Sequence, residues 1–261
     1  MRTPLRALML TATLAVSGSA VAQNAAPQDK PTIVLVHGAF AESSSWDPVI
    51  AKLGKDGYRV IAAANPLRSV ASDAVNVSAV IRSIKGQVVL VGHSYGGPVI
   101  TEAANGNANV KALVYVAGFA PDTGETSLTL AAKFPGSTLG TSLTTVVLPD
   151  GDEDLYIQPE KFHAQFAADV PAAQAEAMAA TQRPVTLSAL GEPSRVAAWK
   201  TLPSYMIYGT ADRNIPAAVM KFMAERAHAR KTVVVEGASH VVMISHPAEV
   251  ASLIEEAAQA K

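Results

Sequence analysis

Residues 88–98 read VVLVGHSYGGP, an unbroken apolar run that passes directly into Gly92-His93-Ser94-Tyr95-Gly96. A short apolar run bounded by glycine suits a strand buried on both faces, and Gly97-Pro98 opens a helical pattern. Ser94 therefore stands on a tight turn from strand to helix. Such a turn strains its central residue and requires small neighbours, here Gly92 and Gly96, and it lifts the serine hydroxyl clear of the sheet. The following helix presents unpaired N–H groups and the positive end of its dipole to whatever binds there. The feature presupposes a parallel strand on one side and a crossover helix on the other.

The rest of the chain fits that demand. Val/Ile/Leu-rich runs at residues 32–36, 59–62, 88–91, 112–116, 205–208 and 232–235 read as strands. They alternate with helical patterns at 45–55, 72–84, 95–105, 217–227 and 247–260. This alternation predicts an α/β fold, a mostly parallel, doubly wound sheet of about six strands. Residues 121–202 break the rhythm with the turn-rich segments PDTGE, KFPGSTLG and LPDGDED, then with helical patterns at 159–166 and 171–180. That stretch exceeds what a crossover needs and predicts a helical cap inserted over the carboxyl edge of the sheet. A single α/β domain is thus expected over 31–261, with the cap at 121–202.

Residues 1–22 are set apart from the fold. Arg2 and Arg6 precede an apolar run from Ala7 to Val16 and small residues ending at Ala20-Val21-Ala22, the layout of a secretory signal peptide. The apolar run is far shorter than the roughly 20 residues a membrane helix needs, so export without stable membrane insertion is expected, to the periplasm or the medium. Residues 23–30, QNAAPQDK, read as a flexible leader. Cleavage after Ala22 removes two arginines and takes the formal charge from -1 to -3.

Composition narrows the chemistry. With 21 Lys+Arg against 22 Asp+Glu, the chain lacks the basic footprint of a nucleic-acid binder. It contains no cysteine, which excludes a thiolate nucleophile and any Cys-ligated metal. The six histidines show no paired ligand spacing such as His-Glu-x-x-His, so no metal is expected. Asp150, Asp152 and Asp154 lack the closing glutamate of a calcium loop and read as a solvated turn. No cofactor is implied, and nothing in the sequence fixes the number of subunits.

A serine hydroxyl needs a base, usually a histidine held by a carboxylate. For this turn the chain order serine, acid, histidine selects Asp212, just past the run YMIY, and His240, just past TVVV. Both fall at the carboxyl ends of expected strands, where open α/β sheets place their sites. Asp122 after ALVYV is the rival acid, and His93 and His37 are weaker rivals for the base; His163, His228 and His246 read as structural or solvent-facing. The backbone N–H groups of Tyr95 and Ala39 are the expected oxyanion donors, Ala39 belonging to the His37-Gly38-Ala39-Phe40 loop after the first strand. Phe40, Phe134, Tyr156, Phe162, Phe166 and Trp199 either line an apolar substrate pocket or, for those in the insertion, form the core of the cap.

Together these motifs make the chain resemble the α/β-hydrolase superfamily, across nearly all of residues 31–261 outside much of the cap. It is most similar to the branch that contains plant methylesterases and hydroxynitrile lyases. The shared residues are HGAF at 37–40 with Trp46, GHSYGG at 92–97, ADRNIP at 211–216 and SHVVMISHP at 239–247. The resemblance implies a Ser94–Asp212–His240 triad and a compact sheet without the extra leading strands of larger members. Lyases of the branch carry a lysine directly after the catalytic histidine and a threonine three residues before the HGA histidine; here Val241 and Val34 stand there. A serine carboxylesterase acting on small to medium apolar esters is therefore expected, rather than a lyase. A cofactor-free perhydrolase, a lactone hydrolase and a non-catalytic small-ligand binder are the alternatives.

Overall fold

The computed structural model describes residues 30–260. The expected signal peptide and all of the leader but Lys30 lie outside the described residues. Six parallel strands form the main sheet in the order β2-β1-β3-β4-β8-β9: β1 (Thr32–Val36), β2 (Val60–Ala63), β3 (Val88–His93), β4 (Val110–Val116), β8 (Ser204–Gly209) and β9 (Lys231–Val235). All six were legible as apolar runs because a parallel sheet covered on both faces needs apolar side chains on both. Ile33, Leu35, Leu90, Leu113 and Ile207 are completely buried. Each such side chain contributes about 1.5–3 kcal/mol relative to exposure.

The strand order places helices on both faces. The chain steps from β1 out to β2 and then back past β1 to β3, so right-handed crossovers put the two intervening helices on opposite sides. Helix Asp47–Lys55 packs against helix Pro247–Gln259, and helix Val70–Arg82 against helix Gly96–Ala104. The register brings the strand ends level: Val36 lies opposite Gly92, His93 opposite Val116, and Gly209 opposite Val235. Loops that leave β1, β3, β8 and β9 therefore meet at one edge.

Between β4 and β8 the structure is more mixed than its sequence suggests. Helices Pro159–Phe166 and Ala172–Thr181 form where the helical patterns lie, but a three-stranded antiparallel sheet stands beside them. It consists of β5 (Leu143–Val147), β6 (Glu153–Ile157) and β7 (Val185–Thr186), in the order β5-β6-β7. Thr144, Thr145, Val146 and Val147 form a β-branched run, and Gly151, at φ 90°, lets the chain reverse between β5 and β6. The strands were missed because they are short and the outer one is largely exposed, leaving little apolar alternation to read.

Candidate active site

Ser94 sits immediately after β3 with φ 52°, the left-handed backbone expected of a strained strand-to-helix turn. The turn closes only because its neighbours lack side chains. A Cβ at Gly92 would lie 2.5 Å from the Gly96 carbonyl oxygen, and one at Gly96 would run into the Val36 carbonyl oxygen. Across the turn, a Cβ at Gly38 would lie 2.5 Å from the Ser94 Cβ and 2.7 Å from the His93 carbonyl oxygen. The loop after β1 is thus pressed directly onto the serine.

That loop has its own supports. His37 Nδ1 contacts the Gly38 carbonyl oxygen at 3.0 Å, and its Nε2 accepts from the Asn65 backbone N–H at 3.3 Å. The Asn65 side-chain amide donates to the His37 carbonyl oxygen at 2.8 Å. Burial lowers the His37 pKa, so the ring is a neutral strut. The Phe40 N–H donates to the Arg183 carbonyl oxygen at 2.9 Å, and the Ser94 N–H to Val116 at 3.3 Å. Among the described residues, by contrast, neither the Ala39 nor the Tyr95 N–H donates to a protein acceptor. Two backbone donors without a protein acceptor thus stand in the segments on either side of the contact between Gly38 and Ser94.

Asp212 and His240 come together in the loops after β8 and β9. His240 Nδ1 lies 2.6 Å from Asp212 Oδ2, and both side chains are buried. The other carboxylate oxygen, Oδ1, accepts from the backbone N–H groups of Asn214 at 2.8 Å and Ile215 at 3.0 Å. The rival acid is occupied elsewhere: Lys200 Nζ lies 2.5 Å from Asp122 Oδ1 and holds that exposed carboxyl below its usual range. His93, next to the serine, packs its ring 4.8 Å from that of His240 and 6.4 Å from that of Trp46. Its Nε2 faces the His240 carbonyl oxygen at 3.2 Å, so Nε2 carries the proton. Complete burial, with the neighbouring His240 as a lesser cause, pushes its pKa well down and keeps it neutral.

The aromatic residues divide between two places. Phe166 is buried with its ring 5.2 Å from His240, 6.1 Å from Phe40 and 5.0 Å from Phe162. Phe40 also borders a cavity of about 250 Å³ shared with Met178, Gln182 and Ile244. Phe134 instead packs on Phe222 at 5.9 Å, and the Trp199 indole donates to the Pro121 carbonyl oxygen at 2.8 Å beneath Arg226. Tyr156 is half-buried on β6, paired with Thr144 of β5. Phe134 and Trp199 are thus packed against other parts of the fold.

Two supporting residues escaped the sequence reading. The Tyr95 hydroxyl donates to Asp73 Oδ2 at 3.0 Å, and Asp73 is fully buried in helix Val70–Arg82. Burial raises the pKa of both groups, the charge of Asp73 adding to the effect on Tyr95. A signal was present, because Asp73 shares the apolar stripe of Val70, Val77 and Ile81, where an unpaired acid would be costly. The second, Gln165 of helix Pro159–Phe166, is buried and donates to the Arg213 carbonyl and Asn214 Oδ1 beside Asp212; it carried no comparable signal.

The chain belongs to the alpha/beta hydrolase family, whose pattern it matches over residues 33–253. An alpha/beta hydrolase of Aspergillus novofumigatus is 28% identical over 254 residues, 88% of this chain and 97% of that protein. A carbendazim-hydrolyzing esterase of Nocardioides sp. is 34% identical over 113 residues, 38% of this chain and 47% of that protein. The crystal structure of polyneuridine aldehyde esterase superposes with a TM-score of 0.76 at 20% identity, covering 87% of this chain and 98% of that one. Among the described residues, no helix is long and apolar enough to cross a membrane.

Proposed function

We propose that the protein is a serine ester hydrolase working through an acyl-enzyme, with Ser94 as nucleophile, His240 as base and Asp212 as its orienting acid. The observation that carries this is the buried 2.6 Å contact between His240 Nδ1 and Asp212 Oδ2, with the His240 ring 4.8 Å from that of His93, which directly precedes a serine on a strained strand-to-helix turn. With Nδ1 committed to the carboxylate, Nε2 is the nitrogen that takes the Ser94 proton. Attack on the ester carbonyl then places the developing negative charge against the free N–H groups of Ala39 and Tyr95. Loss of one such donor costs about 2.7–4 kcal/mol in a comparable site. His240 next delivers the proton to the departing alcohol, and water releases the acid by the same route. Similarity to one esterase over part of its length, and the fold shared with another, support this class.

The substrate side of the reading rests on Phe166, whose ring lies 5.2 Å from that of His240, and on Phe40, whose ring lies 6.1 Å from that of Phe166. They favour small to medium esters with apolar acyl or alcohol groups. Hydrolysis of a p-nitrophenyl ester series from acetate to dodecanoate tests the proposal. Wild type should turn over the shorter members and react with an organophosphonate at Ser94, while Ser94→Ala should fall to background in both. Equal activity of Ser94→Ala and wild type would overturn the assignment. We further propose that residues 1–22 direct export and are removed after Ala22. Amino-terminal sequencing of the exported protein should then begin at Gln23, and an intact Met1 on exported material would refute it.

A further inference from the structure

Gln165 lies in the inserted helix Pro159–Phe166, remote in sequence from every residue of the proposed triad, and is only 5% exposed. Its Oε1 accepts from the hydroxyls of Thr138 at 2.7 Å and Ser142 at 3.1 Å. Its Nε2 donates to the Arg213 carbonyl oxygen at 2.9 Å and to Asn214 Oδ1 at 2.7 Å. A primary amide has two N–H donors and two strong acceptor positions, and all are used here. The partners also fix which end is oxygen, since two hydroxyls face one end and two acceptors the other.

The Nε2 contacts lead straight to the acid. Asn214, itself buried, donates its backbone N–H to Asp212 Oδ1, and Ile215 does the same. Further ties hold the loop to the same stretch: Thr138 N–H donates to the Arg213 carbonyl, Ser137 Oγ to the Asn214 carbonyl, and Arg213 to the Ala164 carbonyl. A parallel tie reaches the base, because Asp169 takes the hydroxyl of Ser239, which directly precedes His240.

We infer that Gln165 is a positioning residue for the acid–base pair: it holds Arg213 and Asn214 so that two backbone N–H groups stay on Asp212 Oδ1 and Oδ2 stays on His240. The insertion then helps to hold the triad's own geometry in addition to lying over His240. This inference rests on the roles proposed above for Asp212 and His240. Without Gln165, the Asn214 side-chain oxygen loses its buried donor and the Arg213 carbonyl keeps only the Thr138 N–H, so the loop is free to move off Asp212. A displacement of about 1 Å costs on the order of 100-fold in rate.

The test joins a spectroscopic and a kinetic reading. The His240 Nδ1 proton, shared with Asp212, should give a far-downfield proton NMR resonance in wild type that is missing from Asp212→Ala. In Gln165→Leu it should move upfield or broaden, and kcat for a short p-nitrophenyl ester should fall about 10- to 100-fold with KM changed less than threefold. In the Asp212→Ala background, Gln165→Leu should change the residual kcat less than twofold, because the group it positions is gone. Gln165→Met supplies the same loss of hydrogen bonds if the leucine variant does not fold. An unshifted resonance in a folded Gln165 variant, or equal loss of kcat in both backgrounds, overturns the inference while leaving the esterase reading intact. Failure of the esterase reading would appear separately, as Ser94→Ala retaining activity, and the resonance would still decide whether Gln165 sets the Asp212–His240 contact.

Discussion

Replacing Gly38 by alanine adds one methyl group where two functional loops meet. The new Cβ would lie 2.5 Å from the Ser94 Cβ, 2.7 Å from the His93 carbonyl oxygen and 3.1 Å from His93 Nδ1. Carbon atoms pack at about 3.5–4.0 Å, so the loop after β1 and the Ser94 turn must part by roughly 1 Å. Neither side gives easily: His37 and Asn65 clamp one, and Gly92 and Gly96 are closed against backbone on the other. Overpacking of this kind costs about 1–3 kcal/mol of stability. The Ala39 N–H moves by a similar distance from the oxyanion position proposed for it, so kcat/KM should fall on the order of 100-fold. Steady-state hydrolysis of p-nitrophenyl acetate, with urea unfolding alongside, measures both. Gly54→Ala is the control: it lies in helix Asp47–Lys55 with no atom within 4 Å of the added Cβ. It should leave activity unchanged and gain about 0.5–1 kcal/mol. A folded Gly38→Ala protein within threefold of wild-type kcat/KM would refute the tight apposition of the loop after β1 and the Ser94 turn as a requirement for activity.

Three more outcomes follow from contacts around the site. In Asp212→Asn the Asn214 and Ile215 N–H groups should hold the amide oxygen, turning the NH2 toward His240 and forcing its proton onto Nε2; kcat should drop about 10⁴-fold, and a loss under tenfold would refute the role of Asp212. His93 and His37 are buried with pKa values lowered from the ordinary histidine value, so the unfolded chain binds protons that the folded one does not. Their stabilisation is present above about pH 6.5 and is lost as pH falls below it, at about 1.4 kcal/mol per unit for each ring while it stays neutral in the fold. Urea unfolding at pH 7.5, 6.0 and 5.0 should show His93→Gln with a shallower slope than wild type, and equal slopes would refute the account. Phe166→Ala should cost about 3–5 kcal/mol, since its ring is fully buried against Phe162, Phe40 and His240; a loss below 1 kcal/mol by urea unfolding would mean that the segment is not packed down on the histidine.

How far the sequence reached depended on how local each constraint is. The six strands announced themselves because a sheet buried on both faces leaves no room for polar residues, as VVLV at 88–91 and TIVLV at 32–36 illustrate. The turn at Ser94 was legible for a similar reason, since its glycines answer to atoms only a few residues away or on the adjacent strand. Chain order and strand ends singled out Asp212 and His240, but only the assembled sheet shows these two side chains in contact and Asp122 paired with Lys200.

Tertiary structure alone decided what surrounds them. The β5–β6–β7 sheet is short and exposed on its outer strand, so it left no periodic mark, and its existence depends on pairing between residues as far apart as Asp154 and Thr186. The same holds for the aromatic residues, which composition groups together and packing separates: Phe166 falls on His240, whereas Trp199 falls on Arg226. Gln165 makes the point most clearly. A glutamine in a helix looks like any solvated residue until the fold seats Thr138, Ser142, Arg213 and Asn214 around its amide. Periodicity and turn chemistry are written along the chain, whereas hydrogen bonds between distant segments exist only once the core has brought those segments together.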